Sequence, residues 1–234
     1  MTSEKTEDLQ IYLHPTYFID CDSPQIIDFA NRITRGVQSN MDKAIKLYYA
    51  VRDGIFYDPY GIDTNPESMK ASFVLNKGSG FCVAKAILLA AVTRAENIPS
   101  RLGFADVRNH LTSERLRQFM QTDVFVFHGY TELLLENKWV KATPAFNLSL
   151  CEKSGIHPLA FDGKNDSIFH PYDKEGRQHM EYVRDRGKFP DFPRNDMLEA
   201  WEKHYPRFNS GSFDSSGDSS GGNFEEDVAA ERKK

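Results

Sequence analysis

The sequence predicts an α+β fold in which one central helix packs against an antiparallel sheet. Three observations predict it. The run 81–92 is apolar nearly all round, the pattern of a helix buried on every side. After Ile98-Pro99, which cannot continue a helix, the hydrophobic period changes to that of strands. Two β-rich runs, 124–135 and 139–143, flank Glu136-Asn137-Lys138, a turn of hairpin size. A helix-rich first half and a hairpin-rich second half together point to segregated α and β structure.

The elements follow in order. Residues 1–8 are polar, and 9–18 carry β-formers around Pro15, so one short strand is expected there. Ser23 caps and Pro24 opens a first helix with Ile26, Ile27, Ala30 and Ile33 at helical spacing. Ser39 or Asn40 caps a second, which buries Ala44, Ile45, Leu47, Tyr48 and Val51 and stops by Gly54. Ile55-Phe56-Tyr57 is short and aromatic, and Asp58-Pro59-Tyr60-Gly61 after it signals a turn. Residues 68–75 read as a short helical segment. Asn76-Lys77-Gly78-Ser79-Gly80 reads as a loop feeding the central helix, which ends near Asn97. A strand over 101–107 and a surface helix or excursion over 112–121 precede the hairpin. Residues 145–208 have many turns, with a strand over 180–183 and a helix over 197–205. From 209 to 222 ten of fourteen residues are serine or glycine, too few apolar groups to offset the entropy of ordering. The expected organisation is therefore one domain over 1–208 and a disordered, Ser/Gly-rich and charged tail over 209–234. No internal repeat is visible.

Composition narrows the function. The chain has 234 residues, 40% apolar and 27% charged, enough for a sizeable core. Its net charge of -5 and the lack of a basic stripe argue against a nucleic-acid partner. The longest apolar stretch, 86–92, is far short of the roughly 20 residues that cross a bilayer, so no membrane partner is expected. No signal peptide is apparent at the start. The three cysteines, Cys21, Cys82 and Cys151, form neither a disulfide framework nor a CxxC motif, and the histidines lack metal-ligand spacing. A reduced, cytoplasmic setting is expected, with no metal and no cofactor. Oligomeric state is not legible.

One thiol has a setting that suits chemistry. Cys82 sits after a glycine-rich loop and just inside a helix. Unpaired amides and a positive partial charge there favour the thiolate and lower its pKa, and the same amides can hold an oxyanion. A buried structural thiol is the alternative. A nucleophilic cysteine needs a base, and His128 in the β-run 124–130 can serve, although a lone histidine in such a run is more often an incidental or packed residue. Strand alternation puts it on the face of Val126 and Tyr130, opposite Phe127. Thr143, at the end of the returning strand, is placed to approach it.

These residues and their order resemble the transglutaminase-like superfamily, a papain-like group of cysteine enzymes. The glycine-rich loop and Gly80-Phe81-Cys82 open a long helix, and Ile98-Pro99-Ser100-Arg101 leads into a strand. His128-Gly129-Tyr130-Thr131-Glu132 then precedes the hairpin and Trp139-Val140-Lys141-Ala142-Thr143-Pro144. Upstream, residues 48–57 match a helix-to-strand segment of the family. The resemblance spans about 40–147, with 148–208 as an elaboration. It implies a papain-like transglutaminase core, Cys82 as nucleophile and His128 as base. The family usually has aspartate where this chain has Thr143. The group orienting His128 is thus Thr143, or Asn147 by analogy with the asparagine of papain-like enzymes, with Asp162 and Asp166 as more distant candidates. The oxyanion hole is expected to use the Cys82 amide, with Asn76 or Tyr57 as second donor.

The expected activity is cysteine-dependent amide acyl transfer through a thioester. Hydrolysis of a peptide or protein amide is the first expectation. An amine-accepting transglutaminase is a second. A non-catalytic protein-binding module with an impaired triad is a third, and Thr143 favours it.

Overall fold

The computed structural model of the chain describes residues 9–110, 113–169, 171–205 and 223–232. Its centre is the helix α4 (Cys82–Ala95), in which every residue from Val83 to Arg94 is buried. Three helices cover one side of it: α1 (Pro24–Thr34), α2 (Asn40–Gly54) and α3 (Ala71–Lys77). Local sequence starts the first two, although the Ser23 side chain expected to cap α1 makes no cap hydrogen bond. Pro24 opens α1, and the Ser39 hydroxyl accepts from the Asp42 N–H at the start of α2.

The other side of α4 meets a four-stranded antiparallel sheet, ordered β5-β4-β3-β6. Its strands are β3 (Ser100–Asn109), β4 (Val124–Leu135), β5 (Lys138–Ala142) and β6 (Met180–Phe189). Glu136 and Asn137 both take positive φ in the β4–β5 hairpin turn, as a two-residue turn requires. A second, two-stranded parallel ladder joins β1 (Phe56–Tyr57) to β2 (Ser79–Gly80). The short helix α5 (Glu114–Met120) interrupts the β3–β4 connection, and α6 (Leu148–Ser154) and α7 (Arg194–His204) follow the hairpin. No helix among the described residues is long and apolar enough to cross a membrane.

Four expectations need correction. The stretch 9–18 holds a 3-10 turn at Leu9–Tyr12 rather than a strand. Leu13 and His14 both donate to the Gln10 carbonyl, so the backbone closes on itself before Pro15. The helical segment over 68–75 is a 3-10 turn at Glu67–Met69 followed by α3. The strand expected over 180–183 runs to Phe189. Its polar, largely exposed edge position erases the alternation that marks a strand. Finally, the tail is not wholly disordered. Residues 206–222 lie outside the described residues, but Phe224–Arg232 form a helix, α8.

α8 is held by one buried aromatic and a set of charges. Phe224 is 7% exposed and meets the rings of Tyr57 and Tyr60 at 5.6 Å each. Glu225 pairs with Lys153 at 2.7 Å, and the Tyr60 hydroxyl donates to Asp227 at 2.8 Å. Composition misjudged this segment because the serine and glycine run before it outweighs one phenylalanine.

Lys85, buried on the inner face of α4, donates to the carbonyls of Arg52 and Ile55. It satisfies acceptors left open at the C-terminal end of α2 and so fixes where the chain turns into β1. Burial pulls its pKa down to about 7, against the nearby Asp53 carboxylate.

Removing the Phe224 ring is expected to release α8 alone. In Phe224→Ala, hydrogen exchange should show amides 225–232 unprotected while α4 amides keep most of their protection. The global loss should stay at or below the low end, about 3 kcal/mol, of the cost of a buried Phe→Ala change, because only α8 is released.

Candidate active site

Cys82 is placed by the segment before it. Gly78 caps α3 with φ +72°, a left-handed conformation that glycine adopts without a Cβ penalty. The chain then pairs with β1, Phe56 opposite Ser79 and Tyr57 opposite Gly80. The Phe56 N–H donates to Gly78 and the Asp58 N–H to Gly80, at 2.9 and 3.1 Å. This ladder brings Tyr57 beside the start of α4, where Cys82 is the first residue. Phe81 offers no side-chain cap, so the first-turn amides stay available. The amides of Gly129 on β4, of Val83 and of Cys82 itself lie on the side of the sulfur and favour its charged form.

Gly129 explains how β4 gets that close. A Cβ at this position would lie 2.9 Å from the Val83 Cα and 3.2 Å from its side chain. Only glycine lets the strand sit against the first turn of α4. Two residues on, the Thr131 hydroxyl donates to the Ala86 carbonyl at 2.8 Å and tacks the same strand to the same helix. His128 lies between this contact and a β-bulge. Ala105 pairs with His128 and Val107 with Phe125, so Val126 and Phe127 together oppose Asp106. The bulge breaks the alternation assumed from sequence. At this end of the strand Phe125, Val126, Phe127 and His128 all line the cavity that holds Cys82.

Cys82 and His128 thus line one cavity of about 40 Å³, walled also by Tyr57, Phe125, Trp201 and Tyr205 and roofed by Leu116 and Met120 of α5. That is room for a few water-sized groups at most. His128 is 5% exposed, and its Nε2 is buried without a hydrogen-bond partner among the described residues. Its ring lies 5.0 Å from that of Phe169. Phe169 lies 4.9 Å from Phe146, and Phe146 lies 4.7 Å from Tyr57. An aromatic row therefore runs from the imidazole to Tyr57. Phe146 and Phe169 carried no signal in the sequence, because they belong to turn-rich segments without a period.

These surroundings set the electrostatics. Burial alone pulls the His128 pKa down to about 4. Cys82 is half-buried by surface area but crowded by protein on all sides. Burial pushes its thiol up to about 11, and the three amides only partly counter this. The expectation of a lowered thiol pKa is therefore reversed. The helix-start amides act in the anticipated direction, and desolvation outweighs them. The resting pair is a neutral thiol beside a neutral imidazole.

The remaining candidates divide. Thr143 is 1% exposed, and its carbonyl accepts from the Tyr48 hydroxyl at 3.1 Å. Its Oγ1 makes no well-formed hydrogen bond, although the Tyr182 hydroxyl is a polar neighbour. Asn147 is committed elsewhere. Its Oδ1 accepts from the Tyr57 N–H at 3.0 Å, and its Nδ2 donates to Ser149 and Glu225 at 2.7 and 2.6 Å. It steadies Tyr57 rather than the imidazole. Asn76 is exposed on α3 and lies outside the Cys82 cavity. Asp162 accepts from Lys164 and Asn165 in an exposed turn, and Asp166 accepts from the Lys141 N–H. Tyr57 does line the cavity. Burial, then the Cys82 sulfur, holds its phenol well above the usual range, so it remains a proton-bearing donor. Among the described residues no group of three His, Cys, Asp or Glu side chains converges to hold a metal ion.

A model of the transglutaminase-like superfamily matches residues 27–144. No curated protein matches the chain in sequence. Among solved structures, a candidate cysteine protease from Cytophaga hutchinsonii superposes with a TM-score of 0.47 at 13% identity, over 80% of this chain and 55% of its own. A candidate protease from Parabacteroides distasonis gives a TM-score of 0.38 at 16% identity, over 57% of this chain and 26% of its own. The chain thus spans about half of the first and a quarter of the second.

Two outcomes follow from this geometry. In Gly129→Ala the methyl meets α4 backbone, so stability is expected to drop by about 1–3 kcal/mol in denaturant titrations, the usual cost of overpacking. The second concerns acid. Between about pH 6.5 and 4 the unfolded state binds the His128 proton and the folded state does not. Stability should therefore rise with pH across that window and be lost as pH falls through 4. His128→Gln should flatten this part of the curve by up to about 3 kcal/mol in urea melts at successive pH values.

Proposed function

Because the chain belongs to the transglutaminase-like superfamily, we propose that it performs amide acyl transfer with Cys82 as nucleophile and His128 as general base. The observation that carries this reading is the shared cavity: a thiol at the first turn of a buried helix and an imidazole with an unpartnered, buried nitrogen line the same small space. Because the resting pair is neutral, the thiol proton moves to His128 as the sulfur attacks the carbonyl carbon. The oxygen of the tetrahedral intermediate takes the negative charge. The Cys82 amide and the Tyr57 phenol are the donors we assign to it. The imidazolium then returns its proton to the leaving amine, and a thioester remains. A water deprotonated by His128 opens the thioester, which yields the acid and the free thiol. An amine in place of water would yield a new amide.

Thr143 supplies no charge to hold the imidazolium, so its share is limited to hydrogen bonding. The aromatic contact with Phe169 is the main orienting influence we assign to the ring. We place the substrate among peptides or proteins and keep water as the acceptor. One observation favours the competing reading of a non-catalytic binding module: no carboxylate offsets the burial of His128.

Mass spectrometry separates the three readings. The protein is incubated with a mixed peptide digest in ¹⁸O-water containing a biotin-tagged alkylamine. A hydrolase should place one ¹⁸O in each new carboxyl group, and a transglutaminase should attach biotin. Cys82→Ala should abolish either product, and His128→Ala should slow it about 10²–10⁴-fold, the range of general-base catalysis. No product, with no Cys82 adduct to a peptidyl chloromethyl ketone, would leave the binding module.

A further inference from the structure

We propose that Asp106, held by Arg186, is a positioning residue for His128, acting through the bulge that immediately precedes it. The proposal rests on the role assigned to His128 above.

Phe127 has φ +61°, a left-handed conformation that bulky residues avoid. Such a backbone persists only where its surroundings over-determine it. The bulge also takes the Val126 and Phe127 backbone out of the regular ladder with β3, and each freed group needs a partner. Side chains partner three of these groups. The Val126 N–H donates to the Tyr205 hydroxyl at 2.7 Å, and the Trp201 indole donates to the Val126 carbonyl at 3.0 Å. The Phe127 N–H donates to Asp106 Oδ1 at 3.1 Å.

Asp106 is itself fixed. It is 5% exposed, and Arg186 of β6 grips it with Nε at 2.8 and 3.0 Å and Nη2 at 2.8 Å. A two-pronged pair of this kind sets direction as well as distance. The Arg186 guanidinium also lies 5.1 Å from the centre of the Phe127 ring, so it holds both ends of the strained residue. Ala105, next to Asp106, is the register partner of His128. Asp106 lies on the far face of the sheet and contributes no charge interaction to the imidazole. Its influence runs through the 127–128 peptide, whose plane aims the His128 side chain. If the anchor is lost, the bulge is free to relax toward ordinary strand geometry and the imidazole moves away from the sulfur.

Deleting Asp106 alone would orphan the partly buried Arg186 guanidinium and threaten folding. Two double variants avoid this: Asp106→Ala/Arg186→Leu, which removes the acceptor, and Asp106→Asn/Arg186→Leu, which keeps an oxygen for the Phe127 N–H. Thermal melts first establish that both are folded. The rate of Cys82 alkylation by iodoacetamide is then followed by peptide mass spectrometry, in each background with and without His128→Ala. The alanine pair should slow alkylation about 10- to 100-fold where His128 is present, the cost of misplacing a reacting group. It should change the rate less than about 2-fold in the His128→Ala background, and the asparagine pair should restore most of it. A wild-type rate in the alanine pair, or equal slowing with and without His128, would overturn the proposal. The His128 imidazole proton resonance separates this failure from that of the base assignment. It should shift in the alanine pair and return in the asparagine pair even if His128→Ala leaves alkylation unchanged. That last result would refute the base assignment alone, whereas an unmoved resonance would refute the positioning.

Discussion

The site depends on one close approach, that of β4 to the first turn of α4 at Gly129. There the strand backbone sits so near Val83 that a single added methyl would collide with helix backbone. The contact brings the Gly129 amide to where it favours the Cys82 thiolate, with His128 the residue before it in the strand. The Thr131 bond to Ala86 keeps the same registry one helical turn further on. A cavity bounded by the thiol and the imidazole follows from that packing, together with the β1–β2 ladder that supplies Tyr57.

The same packing sets a conflict that the chemistry has to resolve. Placing a thiol and an imidazole on the walls of one apolar cavity penalises the charged form of each. Aromatic walls and a threonine in place of a carboxylate leave His128 without a compensating anion. Under the proposed acyl-transfer reading, such a pair suits proton transfer during attack better than a standing ion pair.

Much of this was legible in local sequence. Cys82 after Gly78-Ser79-Gly80, the unbroken apolar run behind it, and the hairpin carrying His128 are short-range patterns, and each gave its element and its neighbourhood. The remainder depends on contacts between distant residues. Asn147 reaches Tyr57 across 90 positions, so its pairing could not be read from either segment. The bulge at Phe127 was missed because alternation assumes a uniform ladder. The Asp106 and Arg186 that hold it are separated by 80 residues. Lys85 looks like an interruption of an apolar helix until the open carbonyls of α2 are seen beside it. The sign of the Cys82 shift was misread for a related reason. Helix position is visible in sequence, whereas the walls that desolvate the sulfur come from β4, α5 and α7.

The central claim is that Cys82 and His128 face each other across one cavity in solution. The most direct measurement is a nuclear Overhauser cross-peak between the ring protons of His128 and the β-protons of Cys82 in isotope-labelled protein. A shared cavity leads us to expect that cross-peak, and it should disappear when Gly129 is replaced by valine in a variant that still folds. Its absence from the unmodified protein, with both spin systems assigned, would contradict the account.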